Sequence, residues 1–380
     1  MTGGIDTVLR AAAFVASLGV NTHIDFGGSY ANLNTVEAAI RYLGIKNLRD
    51  SMQNPADLTS WPAVSAATGA KFDDYIAETS PASMVTCLAY MPPLAATGAL
   101  NFVEGGNEED DSYPAGLGNT IAIAARFQPK VHAMGQRLGL PTINLSFGAG
   151  WTAANNWHGD YDKVGDLSAH AEYGNAHTYP NPPNGAPDGA IKQLNSDARL
   201  AASSLPVMTT EIGWDESHGF SQPNIAKWAL DATFDGIKHG NPKTYFYALY
   251  DDASGKFGLM RPDGSPKPAG AALHNLTTLL ADAGSDAATF ATGSLAYTLA
   301  GTTGADSTML LQKSDGSHWL ALWNETAGAP HTVTLTLANP ALVRVFDPLT
   351  GTAATQTAHN AATLAVSVPD HPVLVEIGGG

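Results

Sequence analysis

The 380-residue sequence predicts an α/β protein: a (β/α)8 barrel over residues 1–284, followed by a small C-terminal antiparallel β-sandwich over residues 285–380. Three observations carry this expectation. Short β-rich runs alternate with longer segments of helical periodicity between residues 19 and 281, the pattern of repeated βα units around a parallel sheet. Beyond about residue 288 that rhythm stops, and short Thr/Leu/Val/Ala runs recur between Gly, Asn, Asp and Pro turns, as in a sandwich. Two β-rich runs, the fourth and the seventh, each deliver a glutamate near their ends, at positions 108 and 211, and the C-terminal strand ends of such a barrel converge on one face.

Taken in order, the barrel strands are expected at residues 19–26, 46–51, 70–77, 99–104, 142–147, 172–180, 207–212 and 244–250. Helices are expected between them at 35–44, 61–68, 83–95, 121–138, 190–203 and 224–239, with the last at 268–281. Pro92-Pro93 and Pro129 interrupt two of these helices. A long Gly/Asn/Trp-rich loop follows the fifth strand, and a proline-rich loop, residues 180–187, follows the sixth. In the sandwich, strands are expected at 309–313, 318–324, 333–337, 342–347, 363–368 and 372–377.

Composition narrows the function. With 35 acidic against 19 basic residues, a formal net charge of −16, the chain is a poor partner for nucleic acid and for strongly anionic polymers, whereas neutral sugars fit. No run approaches the ~20 apolar residues of a membrane-spanning helix, so no membrane partner is expected. The single cysteine, Cys87, excludes an intrachain disulfide and any multi-cysteine metal site, and its apolar neighbours predict a buried structural thiol. Residues 10–19 have the basic start and short apolar body of a signal peptide, but they run straight into a β-rich segment and end on Gly19, a helix C-cap residue, so they are read as folded structure. A secreted or periplasmic protein whose signal is absent from this chain is expected, with a cytoplasmic location left open.

The chemistry is written at the strand ends. In Asn101-Phe102-Val103-Glu104-Gly105-Gly106-Asn107-Glu108-Glu109-Asp110 an apolar run stops at two glycines and hands over to Asn-Glu, and Val207-Met208-Thr209-Thr210-Glu211-Ile212-Gly213-Trp214 delivers a second glutamate. Paired carboxylates on one barrel face point to glycoside hydrolysis, one acting as general acid and the other as nucleophile or base. His177 and Tyr179 follow the sixth strand, and Arg49 lies on the second. Trp151, Trp157, Tyr161 and Trp214 follow strands five and seven, where aromatic faces would stack on the C–H surfaces of sugar rings. Tyr250, at the end of the eighth strand, is expected among the substrate-contacting residues. No metal-ligand spacing is present and the reaction needs no metal, so no cofactor is expected.

Together, Asn107-Glu108, His177, Tyr179, Glu211 and Arg49 resemble the large clan of retaining glycoside hydrolases built on (β/α)8 barrels, over roughly residues 18–283. The Glu-Gly-x-Asn-Glu run and the overall length look most like the family holding β-xylosidases and bacterial exopolysaccharide endoglycosidases. The sequence departs from that family at Glu109, where many members carry proline, and at Tyr250-Asp251-Asp252, where many carry tryptophan. The resemblance implies Glu108 as acid/base and Glu211 as nucleophile, Asn107 on the sugar 2-hydroxyl, and Arg49 and Tyr179 on Glu211, with His177 on substrate or Glu108. The implied activity is cleavage of a β-linked poly- or oligosaccharide, with endo action favoured by the long loops. A carbohydrate-binding protein without turnover and a transglycosidase using the same glutamates remain open at this point.

Overall fold

A computed structural model of the chain describes residues 5–77, 81–110, 120–148, 160–180, 184–326, 328 and 330–378. Its elements open with β1 (Ile5–Arg10) and the short helix α1 (Ala11–Val15), where residues 10–19 were expected to be folded. The barrel strands are β2 (Leu18–Asn21), β3 (Asn47–Asp50), β4 (Lys71–Ile76), β5 (Leu100–Gly106), β6 (Thr142–Ile143), β7 (Gly174–Thr178), β8 (Val207–Ile212) and β9 (Thr244–Phe246). Between and after them run α2 (Leu33–Leu43), α3 (Asp57–Thr68), α4 (Pro81–Ala96), α5 (Thr120–Leu138), α6 (Pro187–Ala202), α7 (Gln222–Lys238) and α8 (Pro268–Leu280). Between β6 and β7 the described residues hold only short 3₁₀ turns, Asp160–Lys163 and Ser168–His170.

The eight barrel strands are parallel in the order β6-β5-β4-β3-β2-β9-β8-β7. The ring closes where Ile143 bridges Tyr173 and the Asn144 amide donates to the Tyr173 carbonyl at 2.9 Å. The helices are set by ordinary local signals. For α2, Asn32 accepts the Asn34 amide at 3.1 Å as N-cap, and Gly44, at φ 69°, supplies the left-handed C-cap that a Cβ would strain. The apolar faces of α4, α5 and α6 enclose a core that includes Met84, Cys87, Met91, Phe127, Val131, Leu194 and Ala198. Cys87 is there as the buried thiol its neighbours predicted, and burial pushes it up to about 11.

Several strands are shorter than the sequence suggests, because the backbone leaves the ladder for bonds that shape loops. The first stops at Asn21: the Ile24 amide turns onto the Asp50 carboxylate at 3.0 Å, and Ile24–Phe26 become a 3₁₀ turn. The fifth is only Thr142–Ile143. The eighth ends at Phe246, since the Leu249 amide donates to the Asn21 carbonyl at 2.9 Å and the Ala248 carbonyl accepts from Leu259 at 2.9 Å.

The second sheet holds β1, β10 (Tyr297–Ala300), β11 (Ser307–Gln312), β12 (His318–Trp323), β13 (His331–Phe346), β14 (Ala354–Val368) and β15 (Val373–Ile377), antiparallel except for β1 beside β11. The two strands expected at 333–337 and 342–347 are one. Pro340 sits where the β13–β14 register shifts, between Thr336 and Ala341, so it marks an irregularity in the ladder and not a turn. On its other edge β13 carries β10 along residues 334–337 and β15 along residues 343–346, so this one long strand joins both to the sheet. Val333 and Leu335 from the first half share a core with Val343 and Val345 from the second.

By its contacts the chain forms two compact units. One is Leu18–Phe220 with Asp235–Pro266, and it contains the whole barrel sheet. The other comprises the chain as far as Ser17, Ser221–Phe234, and everything from Lys267 on, so it takes in β1, α8 and the sandwich.

Candidate active site

The hub of the barrel's C-terminal end is Arg49 on β3, a guanidinium that is only 1% exposed. Its Nε and Nη2 donate to the two oxygens of Glu104 at 2.9 and 2.6 Å, a bidentate pair. The remaining N–H groups reach Asn21 Oδ1 at 3.0 Å, Glu211 Oε1 at 2.6 Å and Asn107 Oδ1 at 2.6 Å, and the guanidinium carbon lies 4.2 Å from the centre of the Tyr75 ring. All five donors of the side chain are thereby used. Glu104 also accepts from Asn175 Nδ2 at 2.8 Å. Burial opposes its charge, but the Arg49 charge and hydrogen bonds outweigh that and hold its carboxyl below the usual range. A buried charge pair of this kind is costly to break, about 3–5 kcal/mol when one partner is removed, so the network fixes the geometry above it.

Glu211 lies on β8 with Oε1 on Arg49 and Oε2 accepting the Tyr179 hydroxyl. Burial raises its carboxyl, helped by the nearby Glu108 and opposed by His177, Arg49 and Tyr179. Glu108, just past β5, adopts φ 49°, a left-handed conformation rare for a non-glycine residue and of the kind found at functional sites. Its amide holds that turn by donating to the Ser146 carbonyl at 3.1 Å. Close packing explains the glycines around it. A Cβ on Gly105 would lie 2.6 Å from the Leu145 backbone nitrogen, and one on Gly148 would lie 2.4 Å from the Glu108 carboxyl carbon.

His177 on β7 joins the two glutamates. Its Nδ1 is 2.6 Å from Glu108 Oε1 and 3.6 Å from Glu211 Oε2. Burial, with the Arg49 charge, lowers this imidazole to about 4 although Glu211 and Glu104 pull the other way, so the ring is neutral at pH 7 and shares a hydrogen bond through Nδ1 with Glu108. One donor atom from each of Glu108, His177 and Glu211 lies within 4.8 Å of the others, which makes these three the residues among those described that could hold a metal ion. Asn107, with its oxygen turned to Arg49, has its amide nitrogen left for the cleft it lines.

That cleft has a volume of about 310 Å³. Around Glu108, Glu211, Asn107 and Tyr179 its wall is built from His23, Phe26, Gln53, Tyr75, Tyr247, Ser254 and Phe257. None of these seven was singled out from the sequence. His23 and Phe26 were hidden inside an overlong first strand, and Tyr247 inside an overlong eighth. Gln53, Tyr75, Ser254 and Phe257 belong to no recognisable pattern, and only the convergence of strand ends brings them together.

Of the residues expected at the site, Arg49, Asn107, Glu108, His177, Tyr179 and Glu211 are assembled in one network. Trp214 and Tyr250 do not line the cleft: Trp214 is buried with its indole N–H on the Gly185 carbonyl at 2.7 Å, and Tyr250 is buried against Tyr30, ring centres 5.1 Å apart. Both are packing residues here. Trp151 and Trp157 lie outside the described residues. Tyr161 is buried, edge-on to Phe147, and donates to the Asn175 carbonyl at 2.9 Å.

No protein-family model matches the chain, and no curated protein matches it in sequence. Its architecture, in contrast, is that of several solved structures. A family 39 glycoside hydrolase from the gut symbiont Bacteroides cellulosilyticus WH2 superposes with a TM-score of 0.66 at 15% identity, covering 98% of this chain and 82% of that one. A GH39 β-xylosidase from Caulobacter crescentus covers 100% of this chain and 98% of its own at a TM-score of 0.59 and 13% identity. A family 17 β-1,3-glucanosyltransferase from Rhizomucor miehei covers 68% of this chain and 97% of its own at a TM-score of 0.53 and 14% identity. At such identities the likeness is one of fold: a (β/α)8 barrel, followed in this chain by a β-sandwich.

Proposed function

We propose that the protein is a retaining glycoside hydrolase acting on an uncharged, β-linked poly- or oligosaccharide, with Glu108 as acid/base and Glu211 as nucleophile. The observation that carries this reading is the approach of Glu108 and Glu211, whose nearest ligand oxygens lie within 4.8 Å of each other. Retention requires carboxyl groups about 5–5.5 Å apart, whereas inversion needs about 6.5–9.5 Å to admit a water. Glu108 protonates the glycosidic oxygen as Glu211 attacks the anomeric carbon. Water, deprotonated by Glu108, then releases the sugar from the covalent intermediate. Arg49 and Tyr179 anchor the nucleophile, and the free amide of Asn107 suits a sugar hydroxyl beside it. The solved structures of similar fold named above are glycosidases and a glycosyl transferase, which supports the same class of chemistry.

An uncharged substrate follows from where the cations are. Arg49 has spent its donors, and among the described residues no other lysine or arginine lines the cleft. The sequence stretches 111–119, 149–159 and 181–183, which follow the fourth, fifth and sixth barrel strands, contain none either. Among the described lining residues the acidic groups a uronate or sulfate would meet are Glu108 and Glu211, and no cation faces it. Endo action on a polymer and a secreted or periplasmic location belong to the same proposal, since a polysaccharide is met outside the cytoplasm and long loops follow strands five and six.

The test is hydrolysis of a panel of neutral and uronate-containing β-glycans by the wild type, Glu108→Ala and Glu211→Ala, with azide rescue. Rescue is expected to give a β-glycosyl azide from Glu108→Ala and the α-anomer from Glu211→Ala. Retained activity in either variant without azide would sink the assignment. Release of monosaccharide alone would remove the endo part, and transfer products exceeding hydrolysis would make the protein a transglycosidase.

A further inference from the structure

Among the described residues three large apolar side chains are conspicuously exposed, Phe26, Val85 and Leu200, and the one aromatic ring of the three lines the catalytic cleft. Phe26 is 54% exposed, although burying a phenyl ring stabilises a fold by about 1.5–3 kcal/mol. It closes the 3₁₀ turn Ile24–Phe26, and the next two residues, Gly27 and Gly28, have φ of 67° and 53° with no atom within 4 Å of where a Cβ would stand. The glycines are therefore backbone pivots, not spacers for packing, and they hold the phenyl at the cleft.

The ring is braced from behind. Phe26 lies flat on His23, with centroids 4.5 Å apart and planes 8° from parallel, which leaves its other face free. His23 is itself fixed: its Nε2 is 3.1 Å from the Tyr247 hydroxyl, and the rings of Tyr30 and Tyr247 meet it edge-on at 6.2 and 5.5 Å. Burial and the Arg49 charge push the imidazole down to about 4, so it is an uncharged backing at neutral pH. A flat, rigid, apolar face beside two carboxylates and an amide matches one ligand chemistry, a pyranose ring whose C–H bonds form an apolar side while its hydroxyls point to polar groups.

We propose that Phe26, supported by His23, is the stacking platform that selects the sugar unit bound in the cleft, favouring pyranosides with a continuous apolar face. The inference rests on the glycosidase reading for the identity of the ligand, and it goes beyond that reading in naming a specificity-determining residue that is neither a carboxylate nor one of its anchors. A platform contributes to binding before and during the reaction alike, so its loss is read in KM and affinity and leaves kcat in place.

The experiment compares Phe26→Ala and Phe26→Tyr with the wild type on gluco-, xylo- and manno-configured β-linked oligosaccharides, and repeats the binding titrations in a Glu211→Gln background, where nothing is turned over. Phe26→Ala is expected to raise KM and Kd roughly three- to tenfold with kcat within about twofold, and Phe26→Tyr to restore both. The loss should be largest for gluco- and xylo-configured rings, whose equatorial hydroxyls leave the face clear. Unchanged KM and Kd in Phe26→Ala would overturn the proposal, as would a fall in kcat accompanied by a lowered Tm. If the wild type hydrolyses no glycan, the glycosidase reading fails, while a Kd for a bound glycan that depends on Phe26 would still uphold the platform.

Discussion

The Nδ1 of His177 lies 2.6 Å from Oε1 of Glu108, and this neutral imidazole fixes where the carboxyl of the proposed acid/base points. A group that transfers a proton must be held close to the leaving oxygen, and the His177 contact is one that orients the Glu108 carboxyl. His177→Asn should therefore lower kcat roughly ten- to a hundredfold with KM nearly unchanged, because orientation and not ground-state binding is lost. Steady-state kinetics on the best substrate measures this.

Arg49 touches four side chains through five donors, a geometry lysine cannot copy. Arg49→Lys should cost about 1–3 kcal/mol of stability from unsatisfied buried acceptors, read by thermal or chemical unfolding. It also weakens the hydrogen bond and charge that oppose the burial of Glu211, so the acid limb of kcat/KM should move to higher pH. An acid limb at its original position would show that Arg49 does not set the ionisation of Glu211.

Gly148 is chosen by the space that Glu108 occupies. A methyl group there would sit 2.4 Å from the Glu108 carboxyl carbon, so Gly148→Ala should displace the carboxyl and cut kcat by about tenfold or more, with little change in Tm. Comparison with Gly139→Ala, where no neighbour lies within 4 Å but φ is 67°, separates a backbone effect from a steric one: that variant should lose stability and keep kcat.

His23 and His177 are both buried as neutral rings, with folded-state values lowered from 6.5 to about 4. A depressed histidine means that between pH 6.5 and 4 the unfolded chain binds the proton and the folded one does not. Stability is therefore complete above pH 6.5 and falls as the pH drops towards 4, by roughly 3 kcal/mol for each ring. Buried carboxyls that are raised, such as Asp74 at about 8, act in the opposite sense, so the measurement is the difference between the wild type and His177→Asn in denaturant midpoints across that window. The variant should lose less stability on acidification than the wild type does.

How much of this was legible in the linear sequence differs from residue to residue. Asn107-Glu108 and Glu211 stood out because a polar group directly after an apolar strand is a local pattern, and Arg49, His177 and Tyr179 could be joined to them once eight strands were counted. Trp214 and Tyr250 were misplaced as substrate-facing for the same reason that makes tryptophan and tyrosine good sugar ligands: they are large and amphipathic, and a hydrogen bond to Gly185 or a ring contact with Tyr30 satisfies them equally well inside the protein. The expected break between the strands at 333–337 and 342–347 is absent because a register irregularity at Pro340 tolerates a residue that cannot donate to the ladder.

The sequence by itself determined the alternation of elements, the change to a sandwich and the two carboxylates, since hydrophobic period, turn residues and strand-end glutamates are properties of neighbours in the chain. The tertiary structure alone decided that Glu108 and Glu211 approach within 4.8 Å, that Arg49 exhausts its donors, and that His23, Phe26 and Tyr247 form one wall. Those are contacts between residues as many as 224 positions apart, brought together by closing a parallel sheet into a ring, and no spacing along the chain encodes them.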